Sequence, residues 1–144
     1  MARVTTYLNF NGNTEEAFHF YETVFDSKIT SLSRMGDFPP PPGAPALDEA
    51  DVDKIMNVQL PIINGHMLMA TDAIESRGHV LRIGNNFSIA LDLDSREEAD
   101  RIYNALAEGS PECSGMFDAP WGAYWGSCED KYGIRWMVSY AEQA

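Results

Sequence analysis

The stretch EEAFHFY, Glu15 to Tyr21, returns as EEADRIY, Glu97 to Tyr103, and each copy directly follows a short alternating run that ends in a helix-capping residue. In the first copy Val4, Thr6, Leu8 and Phe10 share one face of a strand, with Thr5, Tyr7 and Asn9 on the other. Asn13 then stands as a helix cap with Glu16 at the capping-box position, and Ala17, Phe20, Tyr21 and Val24 form one apolar helical face. The second copy keeps the order. Phe87, Ile89, Leu91 and Leu93 alternate with Ser88, Ala90 and Asp92; Ser95 caps with Glu98; Ala99, Ile102, Tyr103 and Leu106 line the helix. Further strands are expected over 28–35, 55–60 and 66–71, and again over 112–117, 123–128 and 134–140. The terminal strands match as well, since HMLMA after Gly65 parallels IRWMV after Gly133. The chain thus reads as β-α-β-β-β written twice. The plain alternative is chance likeness between two capped amphipathic helices, and the shared order of strand, cap, helix and final strand weighs against it.

Bulk properties limit what this duplicated unit does. A chain of 144 residues that is 44% hydrophobic buries roughly two thirds of its unfolded surface. One domain, 1–144, is expected, with internal modules 1–73 and 85–141. A net charge of -12 repels phosphate backbones and anionic lipid, so neither nucleic acid nor membrane is an expected partner. No membrane-length apolar run and no signal-peptide pattern is present, which points to a cytoplasmic protein. Cys113 and Cys128 have no metal-ligand spacing and read as two free thiols.

Between the second and third strands of the first module lies GDFPPPPGAPALDEADVD, the Pro-rich loop 36–53. Pro39 to Pro42 cannot join a sheet and favour polyproline II, and the acidic end reads as loosely ordered. A lid, plain disorder and a dimer contact all remain open for it.

With these elements in place, YLNFNGNTEEAFHFYETVF, HMLMATDA and EDKYGIRWMVSY resemble the PhnB-like branch of the vicinal oxygen chelate superfamily, which includes glyoxalase I, bleomycin-resistance proteins and extradiol dioxygenases. Members of that branch are also called demethylubiquinone-methyltransferase-like. The resemblance spans nearly the whole chain apart from the proline loop. It implies an α+β fold in which two tandem βαβββ modules form a curved mixed sheet, a half-barrel around a cavity with helices outside. It also implies a homodimer and a small-molecule ligand.

Metal-dependent members of the superfamily bind one divalent cation through four inward strand positions, using His, Glu or Gln. Carried over, those positions fall on Thr5, Ser88, Met137 and either Met67 or Met69, none a credible ligand. A one-residue shift brings in Val4, Thr6, Phe87, Ile89, Trp136 and Val138, which are worse. His19, His66 and His79 form no ligand pairing. No metal is expected, and without a Gly-rich strand-to-helix turn no nucleotide cofactor is expected either.

Alternation places Thr5, Tyr7, Asn9, Asn57, Gln59, Met67, Met69 and Thr71 of the first module on the ligand side. Ser88, Ala90, Asp92, Arg135, Met137 and Ser139 of the second belong with them. Hydroxyls, soft Met side chains and a tyrosine suit a mid-sized organic ligand with an aromatic or apolar part. Asp92 and Arg135 suit a polar head group, or they pair with each other or sit at the wet strand ends; Asp92 and Tyr7 are the catalytic candidates if any reaction occurs. Trp121 and Trp125 stack a planar ligand or fill a structural seam. Three uses follow from this: a metal-free binding module, an enzyme of the glyoxalase or dioxygenase kind acting on a small metabolite, or a dimeric partner-binding protein whose cavity is packed shut.

Overall fold

A computed structural model describes residues 1–142. The backbone groups into two compact units, Met1–Arg82 and Ile83–Ala144. The first contains β1 (Thr6–Phe10), α1 (Thr14–Phe25), β2 (Ser31–Arg34), β3 (Ile55–Pro61) and β4 (Met67–Asp72). The second contains β5 (Ile89–Asp92), α2 (Arg96–Ala107), β6 (Glu112–Cys113), β7 (Phe117–Asp118), β8 (Tyr124–Glu129) and β9 (Arg135–Tyr140). The sheet orders are β1-β4-β3-β2 and β5-β9-β8-β6, with β7 also on β8. In each unit the first strand lies parallel to the last and every other pairing is antiparallel. The two helices have equal length, 12 residues each. The fold is α+β, built from the same mixed-sheet module twice.

Alternation explains how each sheet meets its helix. Leu8 and Phe10 on β1, Leu68 and Ala70 on β4, and Val58 and Leu60 on β3 are buried, while their strand neighbours Tyr7 and Asn9 are exposed. Phe18 of α1 stands edge-on to Phe10 and to Tyr21, at centroid distances of 6.3 and 5.6 Å. Burying such a side chain contributes about 1.5–3 kcal/mol. In the second unit Leu91, Trp136 and Val138 are buried, as are Ile102, Tyr103 and Leu106 of α2, the helix face expected from sequence. In α1 the face is turned: Phe18 is fully buried and Phe20 only half.

The other departures are local. Val4 and Phe87 precede their strands and are 85% and 66% exposed, so neither belongs to a core face. The strand expected over 28–35 shortens to Ser31–Arg34, and β4 begins one residue later than expected. Asn13 makes no side-chain cap bond. The entry of α1 is held instead by Asp72, whose Oδ1 accepts from the N–H groups of Gly12 and Thr14 and from the Thr14 hydroxyl. Ser95 does cap α2, accepting from Glu98 N–H at 3.1 Å. The strand expected over 112–117 breaks into β6 and β7 at Gly115, whose φ is +76°. Tyr103 Oη fills that break, accepting from Gly115 N–H and donating to the Ser127 carbonyl. Opposite it, a Cβ on Gly126 would lie 2.8 Å from the Gly115 carbonyl oxygen, so a side chain there is excluded.

The proline loop is anchored to its own unit. Met35 and Gly36 N–H groups donate to Lys54 and Val52 carbonyls. At its acidic end Asp51 is buried, 2.7 Å from Lys54 Nζ and accepting from Ser76 Oγ at 2.9 Å. The expectation of a loosely ordered acidic end is therefore corrected at Asp51. Lys54 and then Ser76 hold this carboxyl below its ordinary value of 3.8. A depressed folded value stabilises above the unfolded one, and that contribution is lost as pH falls through the folded value. Asp51→Ala is accordingly expected to speed cleavage within 38–48 by a non-specific protease at neutral pH. The variant and the parent should converge progressively as pH falls from about 3.8 through the lower folded value. Equal cleavage rates at neutral pH would contradict this anchoring.

Candidate functional site

Each sheet has a face its helix leaves open, and those of the expected ligand-side residues that lie in strands fall on these two faces. In the first unit Tyr7 stands beside Met69 and Met69 beside Gln59, which in turn faces Ser31; Asn9 stands beside Thr71. Gln59 Nε2 donates to Asn57 Oδ1 at 3.4 Å. Met67 faces Pro61, and Thr5 lies just before β1. The resulting surface is soft and polar by turns, with Tyr7 49% exposed. No charged side chain belongs to these rows, whose polar groups are amides and hydroxyls.

The second unit's open face is more differentiated. One row runs from Asp92 to Ser139 to Trp125 to Phe117. The next runs from Ala90 to Met137 to Ser127. Phe117 and Trp121 each meet Trp125 edge to face, at centroid distances of 5.6 and 5.9 Å. Trp121 is 64% exposed although it follows β7 rather than lying in a strand. Such edge-to-face contacts fix the rings and leave aromatic surface presented to solvent.

Asp92 and Arg135 do not pair. Arg135 lies in the Glu129 row at the far end of β9, 3.5 Å from Glu129 Oε1 and 3.7 Å from Glu112 Oε1. Its charge is matched within its own sheet. Asp92 ends β5 with an exposed side chain and no ion-pair partner among the described residues. Ser88 is exposed just ahead of β5.

The mapped metal positions do not suit a metal. Thr5, Ser88, Met67 or Met69, and Met137 supply hydroxyls and thioethers, whereas divalent cations of this class take imidazole and carboxylate. Among the described residues no group of three or more His, Cys, Asp or Glu is gathered at ligand spacing. His66 Nε2 is 2.8 Å from Thr6 Oγ1, and His19 Nδ1 is 2.9 Å from Glu22 Oε1. Both are satisfied locally. At the two helix starts Asp72 accepts from Thr14 N–H and Ser95 from Glu98 N–H. No described helix is long and apolar enough to cross a membrane.

One site was not legible from alternation. Met35, Phe38, Pro39 to Pro41, Leu47, Met56 and Arg77 enclose a cavity of about 180 Å³ beneath the proline loop. Met56 contributes because the β2–β3 register shifts between Ser33 and Arg34, which leaves it unpaired. Arg77 is engaged with the loop itself, donating to the Pro45 carbonyl at 3.1 Å.

The sequence matches the family described as 3-demethylubiquinone-9 3-methyltransferase over residues 2–139. Protein PA1353 of Pseudomonas aeruginosa is 31% identical, with a TM-score of 0.84 covering 99% of this chain and 100% of that one. A putative 3-demethylubiquinone-9 3-methyltransferase, the PhnB protein of Bacillus cereus, is 26% identical, with a TM-score of 0.73 covering 97% and 100%. Protein YjdN of Escherichia coli (strain K12) is 26% identical over 97% of this chain and 96% of its own. The fold alone is shared with the fosfomycin resistance protein FosX of Listeria monocytogenes, solved with Mn(II) and sulfate: TM-score 0.63, 13% identity, 98% and 93% covered. The chain belongs to the PhnB-like, 3-demethylubiquinone-9 3-methyltransferase family, and it has the fold of the glyoxalase/bleomycin resistance/dioxygenase superfamily.

Proposed function

We propose that this protein binds a small organic molecule with an aromatic or amphiphilic part on the open face of its second sheet, without a metal and without turnover. The observation that supports this reading is the exposed ring cluster Phe117, Trp125 and Trp121, beside Ser139 and Asp92 on a face its helix does not cover. Stacking surface with one hydroxyl and one carboxylate suits a planar ligand bearing a donor group. The donor set at the mapped metal positions argues against superfamily chemistry that runs through a divalent cation. The protein acts as a homodimer in this reading, as the family resemblance implies, and in the cytoplasm, as the absence of a signal-peptide pattern suggests; sedimentation of the purified chain tests the dimer.

Titration with the neutral fluorophore N-phenylnaphthylamine tests the site. Saturable binding is expected, and Trp125→Ala should weaken it by about tenfold or more, equivalent to about 1.4 kcal/mol. Equal affinity in Trp125→Ala, or no saturable signal in the parent, would refute the reading. An enzyme using the same face would need Asp92 for proton transfer, so Asp92→Asn separates the two uses: binding survives the substitution and turnover does not.

A further inference from the structure

The two cysteines stand directly opposite one another in the β6–β8 ladder, Cys113 facing Cys128. The next opposed position is fixed by Ser114 N–H, which donates to the Ser127 carbonyl at 2.9 Å. Hydrogen-bonded and non-hydrogen-bonded pairs alternate along an antiparallel ladder, so Cys113 and Cys128 occupy the non-hydrogen-bonded kind. There the opposed Cα atoms lie about 4.5 Å apart. Disulfides span Cα separations of roughly 4.4–6.8 Å, and directly opposed side chains project on the same face of a sheet. Both thiols are unbonded in this structure.

Their surroundings differ in a way that assigns each a role. Cys113 lies on the edge strand and is exposed, open to a small oxidant. Cys128 is 3% exposed in the central strand β8. Burial first, and then the Asp130 carboxylate, push its thiol up to about 12. It is therefore shielded from direct attack.

We propose that Cys113 and Cys128 form a reversible cross-strand disulfide, with Cys113 as the residue that reacts with a peroxide and Cys128 as the residue that resolves it. In the first step the Cys113 sulfur attacks the peroxide oxygen. An S–O bond forms, the O–O bond breaks, hydroxide leaves and takes the thiol proton as water, and Cys113 becomes a sulfenic acid. In the second step the Cys128 sulfur attacks the Cys113 sulfur. The S–S bond forms, the S–O bond breaks, and hydroxide leaves with the Cys128 proton as a second water. Two thiols have lost two electrons to one peroxide, and a dithiol reductant reverses the change. The second step accelerates as pH rises, because the thiolate fraction of Cys128 increases. The product ties the edge strand β6 to β8 just before the Gly115 break, and so restrains the chain that leads to Phe117.

The test treats the reduced full chain with stepwise hydrogen peroxide, alkylates it under denaturing conditions and reads intact mass and a non-reducing peptide map. Expected are the loss of two hydrogens, protection of both thiols, a peptide pair joining Cys113 to Cys128, and full reversal by dithiothreitol. In Cys128→Ala the sulfenic acid persists at Cys113 and is trapped by dimedone, while Cys113→Ala leaves Cys128 alkylatable after the same treatment. The proposal is overturned if parent protein accumulates sulfinic acid at Cys113 with Cys128 still alkylatable, or if Cys113 forms disulfides between chains instead. The peptide map of the parent decides the matter even if Cys128→Ala does not fold.

Discussion

Asp72→Ala is expected to destabilise the first unit by about 3–5 kcal/mol, among the largest effects of any single substitution there. The carboxylate is 2% exposed. Its Oδ1 accepts from Gly12 N–H and Thr14 N–H, both at 3.1 Å, and from Thr14 Oγ1 at 2.6 Å; its Oδ2 accepts from Ile55 N–H at 2.8 Å. One side chain at the end of β4 thus joins the β1–α1 turn to the start of β3. Alanine removes all four bonds and leaves three buried donors, Thr14 N–H, the Thr14 hydroxyl and Ile55 N–H, without this acceptor. Each such donor costs about 1–3 kcal/mol. Urea unfolding measures the effect, as a midpoint lower by about 1 M or more. Two companions grade it. Asp72→Asn keeps the shape but turns an amine toward one of the donors, and is expected to cost about 1–2 kcal/mol. Thr14→Val removes only the hydroxyl bond and should cost about 1 kcal/mol. A loss under about 1 kcal/mol in Asp72→Ala would mean water or rearrangement replaces these bonds.

The contrast between Asn13 and Asp72 shows how far local sequence reaches. Asn13 and Glu16 have capping-box spacing, and a reader of the chain has every reason to place the cap there. The structure closes the same helix entry with a residue 58 positions away from Thr14, and nothing local announces it. Strand alternation carried further. It separates Leu8 and Phe10 from Tyr7 and Asn9, and Leu91 from Ala90 and Asp92, because a half-buried strand must alternate. It was less informative where apolar residues fill adjacent helical positions: with Phe18 and Phe20 both present, the phase of α1 was set by the fit of Phe18 against Phe10 and Tyr21.

The candidate ligand face divides in the same manner. Its membership follows from strand period: Ser139, Met137 and Asp92 are the less buried positions that alternate with the buried Leu91, Trp136 and Val138. Its pairings depend on register, which composition does not encode. Hence Arg135 sits with Glu129 and Glu112 rather than with Asp92. Phe117 was read only as the end of a strand. The break at Gly115 lets it pair with Trp125 and complete the ring cluster. Glycine amid otherwise strand-like residues was the available signal.

The second unit has its own buried carboxylate, at a different point of the same module, and Asp130→Ala is expected to cost about 3–4 kcal/mol. Asp130 is fully buried at the β8–β9 turn. Its Oδ1 accepts from Tyr132 N–H at 2.8 Å and Ile134 N–H at 3.1 Å, while Oδ2 accepts from Trp136 Nε1 at 2.8 Å. The carboxylate therefore shapes the turn and fixes the largest side chain of that core. In the first unit the corresponding stretch, Ile62 to His66, turns instead through left-handed Asn64 and Gly65, with φ of 53° and 76°. There the buried carboxylate of Asp72 secures the helix entry instead. The two copies have kept topology and exchanged the polar contact that secures it. Two variants separate turn from core. Trp136→Phe fills most of the same volume but removes the indole donor and its bond to Oδ2, at a cost of about 1–3 kcal/mol with the turn intact. Asp130→Ala loses both, so it should destabilise more and also abolish the near-ultraviolet circular dichroism that a fixed Trp136 ring contributes. Equal losses for the two variants would place nearly all the energy in the Trp136 bond and none in the turn.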